Sequence, residues 1–246
     1  MPDYLKEYQV AGYECDRNSI LSIGTIFNWL QDSMDKYSRT VGIDYDFCHQ
    51  NNLTYILKNY DVVIHNLPRW SQLVQMHTQL IGSSLTSLFF NQTLSDLQTK
   101  QELFSSTSQV VLINTLNGHP ARVRQCLPID QLESIHIKPN FEHFDPIQRI
   151  DHQSTQAVET DHIDFNQHVN NTNYVIFAAR SLSPEFLKKM QLKRIQAAYR
   201  QSAKMGDILC TQSQMGTEHT DHQIVSQENP DIQYARVRFH WTAKDR

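Results

Sequence analysis

The segment Asp161-His162-Ile163-Asp164-Phe165-Asn166-Gln167-His168-Val169-Asn170-Asn171, with Tyr174 after it, is where chemistry concentrates in this chain. Asp164, Asn166 and His168 put a carboxylate, an amide and an imidazole at alternating positions. An Asp can serve as base or nucleophile, an Asn can orient water or substrate, and a His can move a proton near neutral pH. The same residue types also make turns and helix caps. Asn170 or Asn171 is placed to cap a helix running through Tyr174, Val175, Phe177, Ala178 and Leu182. The pattern therefore reads as a reactive loop feeding a buried helix, or as turn and cap alone.

The elements that must position this loop follow a repeated plan. An extended stretch, Tyr8 to Asp16, leads into Ile23, Ile26, Phe27, Leu30, Met34 and Tyr37 at helical spacing, with Gly42 placed to end the helix. Strands are expected at Leu53 to His65, Leu73 to Ile81, Leu85 to Leu94 and Phe104 to Leu116. Pro68 follows the first of these, and Asn117-Gly118 signals a turn after the last. The stretch from about Pro128 to Thr155 lacks periodicity and reads as a linker. Ala157 to Thr160 then leads into the motif and a helix over Val169 to Leu182, and Ser183-Pro184 opens a short second helix. Further strands are expected at Leu192 to Arg200, Ile208 to Met215, His222 to Gln227 and Gln233 to Trp241. Asp16 precedes the first helix as Asp164 precedes the second, which suggests a duplicated α+β unit.

Composition narrows the function classes. A chain of 246 residues, 39% hydrophobic and 20% charged, can bury a sizeable core and is neither disordered nor membrane-spanning. Its net charge of −4 argues against binding driven by nucleic-acid phosphates. Cys15, Cys48, Cys126 and Cys210 are far apart, which suits reduced thiols and a cytoplasmic location. Neither Cys48-His49 nor His219 with His222 has a partner at metal-site spacing, so no metal or organic cofactor is expected.

Taken together these residues resemble the acyl-ACP (acyl carrier protein) thioesterase family, of bacterial type. The likeness rests on Asp164-Phe165-Asn166-Gln167-His168-Val169-Asn170-Asn171 with Tyr174, and on Tyr199-Arg200 before Gly206-Asp207. Tyr13-Glu14-Cys15-Asp16, Leu30-Gln31-Asp32, Pro68-Arg69-Trp70 and Asn117 to Arg122 support it in order along the first half. The resemblance implies an α+β chain of two tandem hot-dog domains, each an antiparallel sheet wrapped around a long helix. It puts an N-terminal domain with the acyl-chain pocket at 1–135, a linker at 136–155 and a C-terminal domain with the catalytic motif at 156–246. Ile23, Ile26, Phe27, Leu30, Tyr55, Ile56 and Leu57 would then line an acyl tunnel or simply form core.

The implied activity is hydrolysis of a fatty acyl thioester on acyl carrier protein, with Asp164, Asn166 and His168 on the catalytic positions. Backbone N–H groups at the following helix can polarise the thioester carbonyl. An acyl-CoA thioesterase and a non-catalytic acyl-binding protein of the same fold are the alternatives. Where the family often has Glu after Tyr-x-x, this chain has Ser202, a substrate-binding candidate that cannot act as a carboxylate base. His162 stands where the family's Asp-x-Asp pattern begins. The partner implied is acyl carrier protein, acidic and therefore matched to Lys188, Lys189, Lys193 and Arg194, with Arg200 and Lys204 nearby. No nucleic acid or membrane is expected, and the pair of domains suits a monomer or a homodimer.

Overall fold

The computed structural model describes residues 3–128 and 138–244, which divide into two compact units, Met1–Phe141 and Glu142–Arg246. The first unit opens with β1 (Tyr4–Gln9) and a 3-10 turn, Gly12–Glu14, and then enters α1 (Ile23–Thr40). Ser22 caps α1 by accepting from Thr25 N, and Gly42 leaves it in the left-handed region at φ 71°. Ile26, Phe27, Trp29, Leu30 and Tyr37 form its buried face, as the helical spacing requires. A short α2 (Tyr45–Gln50), capped by Asp44, separates α1 from the strands.

The strands are β2 (Leu53–Ile64), β3 (Leu73–Ser83), β4 (Ser87–Asp96) and β5 (Glu102–Asn114), and a single turn of helix, α3 (Val123–Cys126), follows them. Within this unit the antiparallel order is β1-β3-β4-β5-β2. Alternate residues of each strand face α1, which packs edge-on rings such as Phe27 on Tyr60 at 5.3 Å and Tyr37 on Phe90 at 5.7 Å. Gln92 ties the sheet to the helix by donating to Leu30 O and to Ser33 Oγ, each at 2.6 Å. Of the residues weighed as tunnel or core, Ile26, Phe27, Leu30 and Leu57 are buried, whereas Ile56 is 48% exposed and lies off the inner face.

The second unit repeats the topology. It runs β6 (His152–Ala157), a 3-10 turn (Thr160–His162), α4 (Asn171–Arg180), α5 (Pro184–Lys189), β7 (Met190–Tyr199), β8 (Ile208–Met215), β9 (His219–Ser226) and β10 (Gln233–Ala243). Its order, β6-β8-β9-β10-β7, is that of the first unit strand for strand. This is the α+β plan of two tandem hot-dog domains. Three expectations need correction. The helix after the motif begins at Asn171, because Val169 is held extended by a bridge to Ile163. The strand β6 takes in His152 to Thr155, which were read as linker; residues 136 and 137 lie outside the described residues. The strand β9 starts at His219, three residues early.

Candidate active site

The 3-10 turn at Thr160–His162 is closed by His162, whose Nδ1 accepts from Glu159 N at 3.0 Å. His162 is buried, with its ring edge-on to Phe177 at 5.1 Å. Its carbonyl accepts from Asn170 N at 2.9 Å and from Asn173 Nδ2 at 3.0 Å. This His is therefore a structural post between the strand lead-in and α4.

From that post the chain makes a tight loop through Asp164. Asp164 N donates to His168 O at 2.8 Å, and Gln167 N donates back to Asp164 O at 3.0 Å. The carboxylate Oδ1 accepts from Asn166 N at 2.8 Å and from His168 N at 3.3 Å. An Asp side chain accepting from the backbone two residues on is the bond pattern of an Asx turn. Gln167 takes φ 63° to let the loop reverse. Asn166 and Gln167 are exposed and His168 is half-buried on a loop whose backbone is fixed.

The loop is anchored on two sides. Asn170 caps α4 with Oδ1 accepting from Thr172 N at 2.9 Å, and Asn173 N donates to Asn170 O at 2.9 Å. Asn171 N–H, the first of the helix, has no partner among the described residues. Val169 N donates to Ala203 O at 2.9 Å, which pins the 200–207 loop to the residue after His168. Tyr174 of α4 holds the same loop, its Oη accepting from Ala203 N at 2.9 Å. Burial pushes the Tyr174 phenol well above its ordinary pKa, so it stays protonated.

The structure thus brings Asp164, Asn166 and His168 into one loop, and places exposed Ser202 on the segment bonded to it, one residue before Ala203. The sequence reading missed two clamps, Asn173 on the His162 carbonyl and Tyr174 on Ala203. Their signal was polar residues on the face of α4 that turns toward the motif. Among the described residues no three His, Cys, Asp or Glu side chains gather as metal ligands. No helix among them is long and apolar enough to cross a membrane.

Family models match nearly the whole chain. The acyl-ACP thioesterase N-terminal domain matches residues 2–127, and the acyl-ACP thioesterase C-terminal domain matches 148–243. This chain belongs to the acyl-ACP thioesterase family. A chloroplastic palmitoyl-acyl carrier protein thioesterase of Gossypium hirsutum is 22% identical over 90% of this chain and 57% of its own length. The chain spans a little over half the length of that curated relative and of the next ones it matches, at 57%, 53% and 61%. Among solved structures, an acyl-ACP thioesterase from Bacteroides thetaiotaomicron superposes with TM-score 0.83 at 17% identity, covering 98% of both chains. The 12:0-ACP thioesterase from Umbellularia californica gives 0.82 at 19%, again over 98% of both. These likenesses confirm the hot-dog fold.

Proposed function

We propose that this protein hydrolyses the thioester of fatty acyl-acyl carrier protein and releases the free fatty acid. The observation that carries the reading is the Asp164–His168 loop, a rigid backbone presenting an amide and an imidazole beside the N-terminus of α4, in a member of this family.

The chemistry follows from the groups at hand. A thioester carbonyl entering the loop meets the Asn171 N–H and the Asn166 amide, which polarise it and stabilise the developing oxyanion. His168 takes a proton from water as the water oxygen bonds to the carbonyl carbon. The tetrahedral species then expels the thiolate as the C–S bond breaks, and the imidazolium returns the proton to sulfur. Asp164, Asn166 and His168 form the reactive loop, and exposed Ser202 contacts the substrate from the adjoining segment. The free state of all four cysteines suits a reducing, cytoplasmic setting.

A second reading has an observation behind it. Ser202 stands where the family pattern often carries a carboxylate, which suits an acyl-binding protein without turnover. The deciding experiment is hydrolysis by the purified protein of acyl carrier protein and CoA thioesters across chain lengths. Preference for the carrier-protein thioesters supports the proposal, and preference for CoA redirects it to an acyl-CoA thioesterase. Acyl binding without release of fatty acid favours the non-catalytic reading.

A further inference from the structure

The inner face of the first unit's sheet carries a polar patch where packing against a helix calls for apolar side chains. Thr78 on β3, Gln92 on β4 and Ser106 on β5 stand directly opposite one another in register. Ser108, two residues along β5, stands opposite Tyr60 on β2. Each of these five side chains is at most 1% exposed. The helix α1 lies over this face through Phe27 on Tyr60 and Tyr37 on Phe90. Between those rings it presents the Leu30 carbonyl and the Ser33 hydroxyl, to which Gln92 Nε2 donates.

Five polar atoms of the patch have no hydrogen-bond partner among the described residues: Tyr60 Oη, Thr78 Oγ1, Gln92 Oε1, Ser106 Oγ and Ser108 Oγ. Buried polar groups are nearly always bonded, and each one left bare costs stability. The second unit shows the ordinary arrangement. There Ser213, Thr220 and His222 are buried, and they bond to one another and to Ser181. In the first unit the orientation of the Gln92 amide is fixed, because the Leu30 carbonyl it faces can only accept. Its Oε1 is therefore an acceptor in need of a donor, beside four hydroxyls that can donate or accept.

A group that donates and accepts at once satisfies such a patch. A plain methylene chain satisfies none of these atoms, and a keto oxygen leaves Gln92 Oε1 bare. A hydroxyl serves both kinds. Resting on the thioesterase reading of this protein, we infer that the first unit takes the acyl chain against this patch and that its preferred chain is hydroxylated. The substrate class then narrows from fatty acyl to hydroxy fatty acyl thioesters. The chain's hydroxyl donates to Gln92 Oε1 and accepts from a neighbouring Ser, Thr or Tyr hydroxyl. A site built to bond a substrate hydroxyl rejects the analogue that lacks it, because its own polar groups are then left unpaired. Water could meet the same groups, and in that case hydroxylation of the chain brings no gain.

The test compares hexadecanoic acid with its β-hydroxy, mid-chain hydroxy and terminal hydroxy derivatives. Binding of the free acids to the purified full chain is measured by calorimetry, and kcat/KM is measured on acyl carrier protein charged with the same chains. At least one hydroxylated chain should bind and turn over about tenfold or more better than the unsubstituted one, the worth of about one well-made hydrogen bond. The triple variant Tyr60→Phe/Ser106→Ala/Ser108→Ala deletes hydroxyls alone. It should bring that ratio close to one, and should melt no lower than wild type, since bare hydroxyls add nothing to the fold. An unsubstituted chain bound as tightly as every hydroxylated one overturns the inference and leaves the patch to water. A preference that survives in the triple variant overturns it too. So does a variant that melts far below wild type, because its hydroxyls must then be bonded inside the fold. If wild type hydrolyses no thioester, the thioesterase reading fails on its own, and the binding of the free acids still decides this inference.

Discussion

His222 gives the sharpest test of the second unit. It sits on β9 at 1% exposure, with Nδ1 2.8 Å from Ser213 Oγ and 3.1 Å from Ser181 Oγ. Its Nε2 lies 2.9 Å from Thr220 Oγ1, which also accepts from Trp241 Nε1 at 3.1 Å. These partners are neutral hydroxyls, so nothing there offsets the cost of burying a charge. Burial lowers the imidazole pKa from 6.5 to about 3. The folded state therefore keeps His222 neutral while the unfolded chain takes up a proton below 6.5. Stability is fully present above that value and is lost as pH falls toward 3. Each pH unit below 6.5 costs about 1.4 kcal/mol, so acidifying from 7.5 to 5 removes about 2 kcal/mol through this one group. Against a typical total of about 5–15 kcal/mol that is easily measured. Urea unfolding of wild type and His222→Gln across this range isolates the effect, since all other titrations are shared. The stability gap between them should narrow by about 2 kcal/mol from pH 7.5 to pH 5. A gap that stays constant would mean that His222 accepts its proton inside the fold, and the burial argument would be wrong.

Three further substitutions follow from the site and its frame. His168→Ala should lower kcat/KM by about 10²- to 10⁴-fold with an unchanged urea midpoint, and undiminished turnover removes the imidazole from the mechanism. Ser202→Glu puts a carboxylate on the segment pinned to the loop by Val169, and should raise kcat; a flat or lower kcat means that no carboxylate is wanted there. In Gly216→Ala the new Cβ would fall 2.6 Å from His219 O inside the β8–β9 turn, where backbone has to yield. It should cost about 1–3 kcal/mol in urea unfolding and leave kcat near wild type.

Much of this frame was readable in the sequence, for reasons that can be named. The helix α1 buries a continuous stripe, so its period is written in Ile26, Phe27, Leu30 and Tyr37. The strands β2 to β5 bury one face, and their alternation shows. The strand β6 did not show, because its residues are nearly all exposed and it exists through backbone pairing with β8. His152 to Thr155 carry no apolar alternation, which is why they looked like linker. Six-residue α2 is too short to display a period, and its one signal was Asp44 accepting from Phe47 N.

The site divides in the same way. Residue types named Asp164, Asn166 and His168, but the loop that holds them together is set by backbone hydrogen bonds that composition does not encode. In the sequence, Asp16 before the first helix stands opposite Asp164 before the second. The backbone hydrogen bonds extend the match from Asp16 through Ser22, while the side chains differ at Arg17, Ser19 and Ile20, the last standing where the second unit has an imidazole. A duplicated fold carries its own control: what both copies keep belongs to the scaffold, and what only one copy has is where its activity must be sought. By that criterion the scaffold owns the Asp Oδ1 with its two backbone bonds and the left-handed residue after the Asn. The second unit alone owns His168, with an Asn166 amide and an Asp164 Oδ2 that do not bond each other as their counterparts do. The two loops share one backbone frame and differ in the side chains at Arg17/Phe165, Ser19/Gln167 and Ile20/His168, and in the Asn18–Asp16 side-chain bond that Asn166 and Asp164 do not repeat.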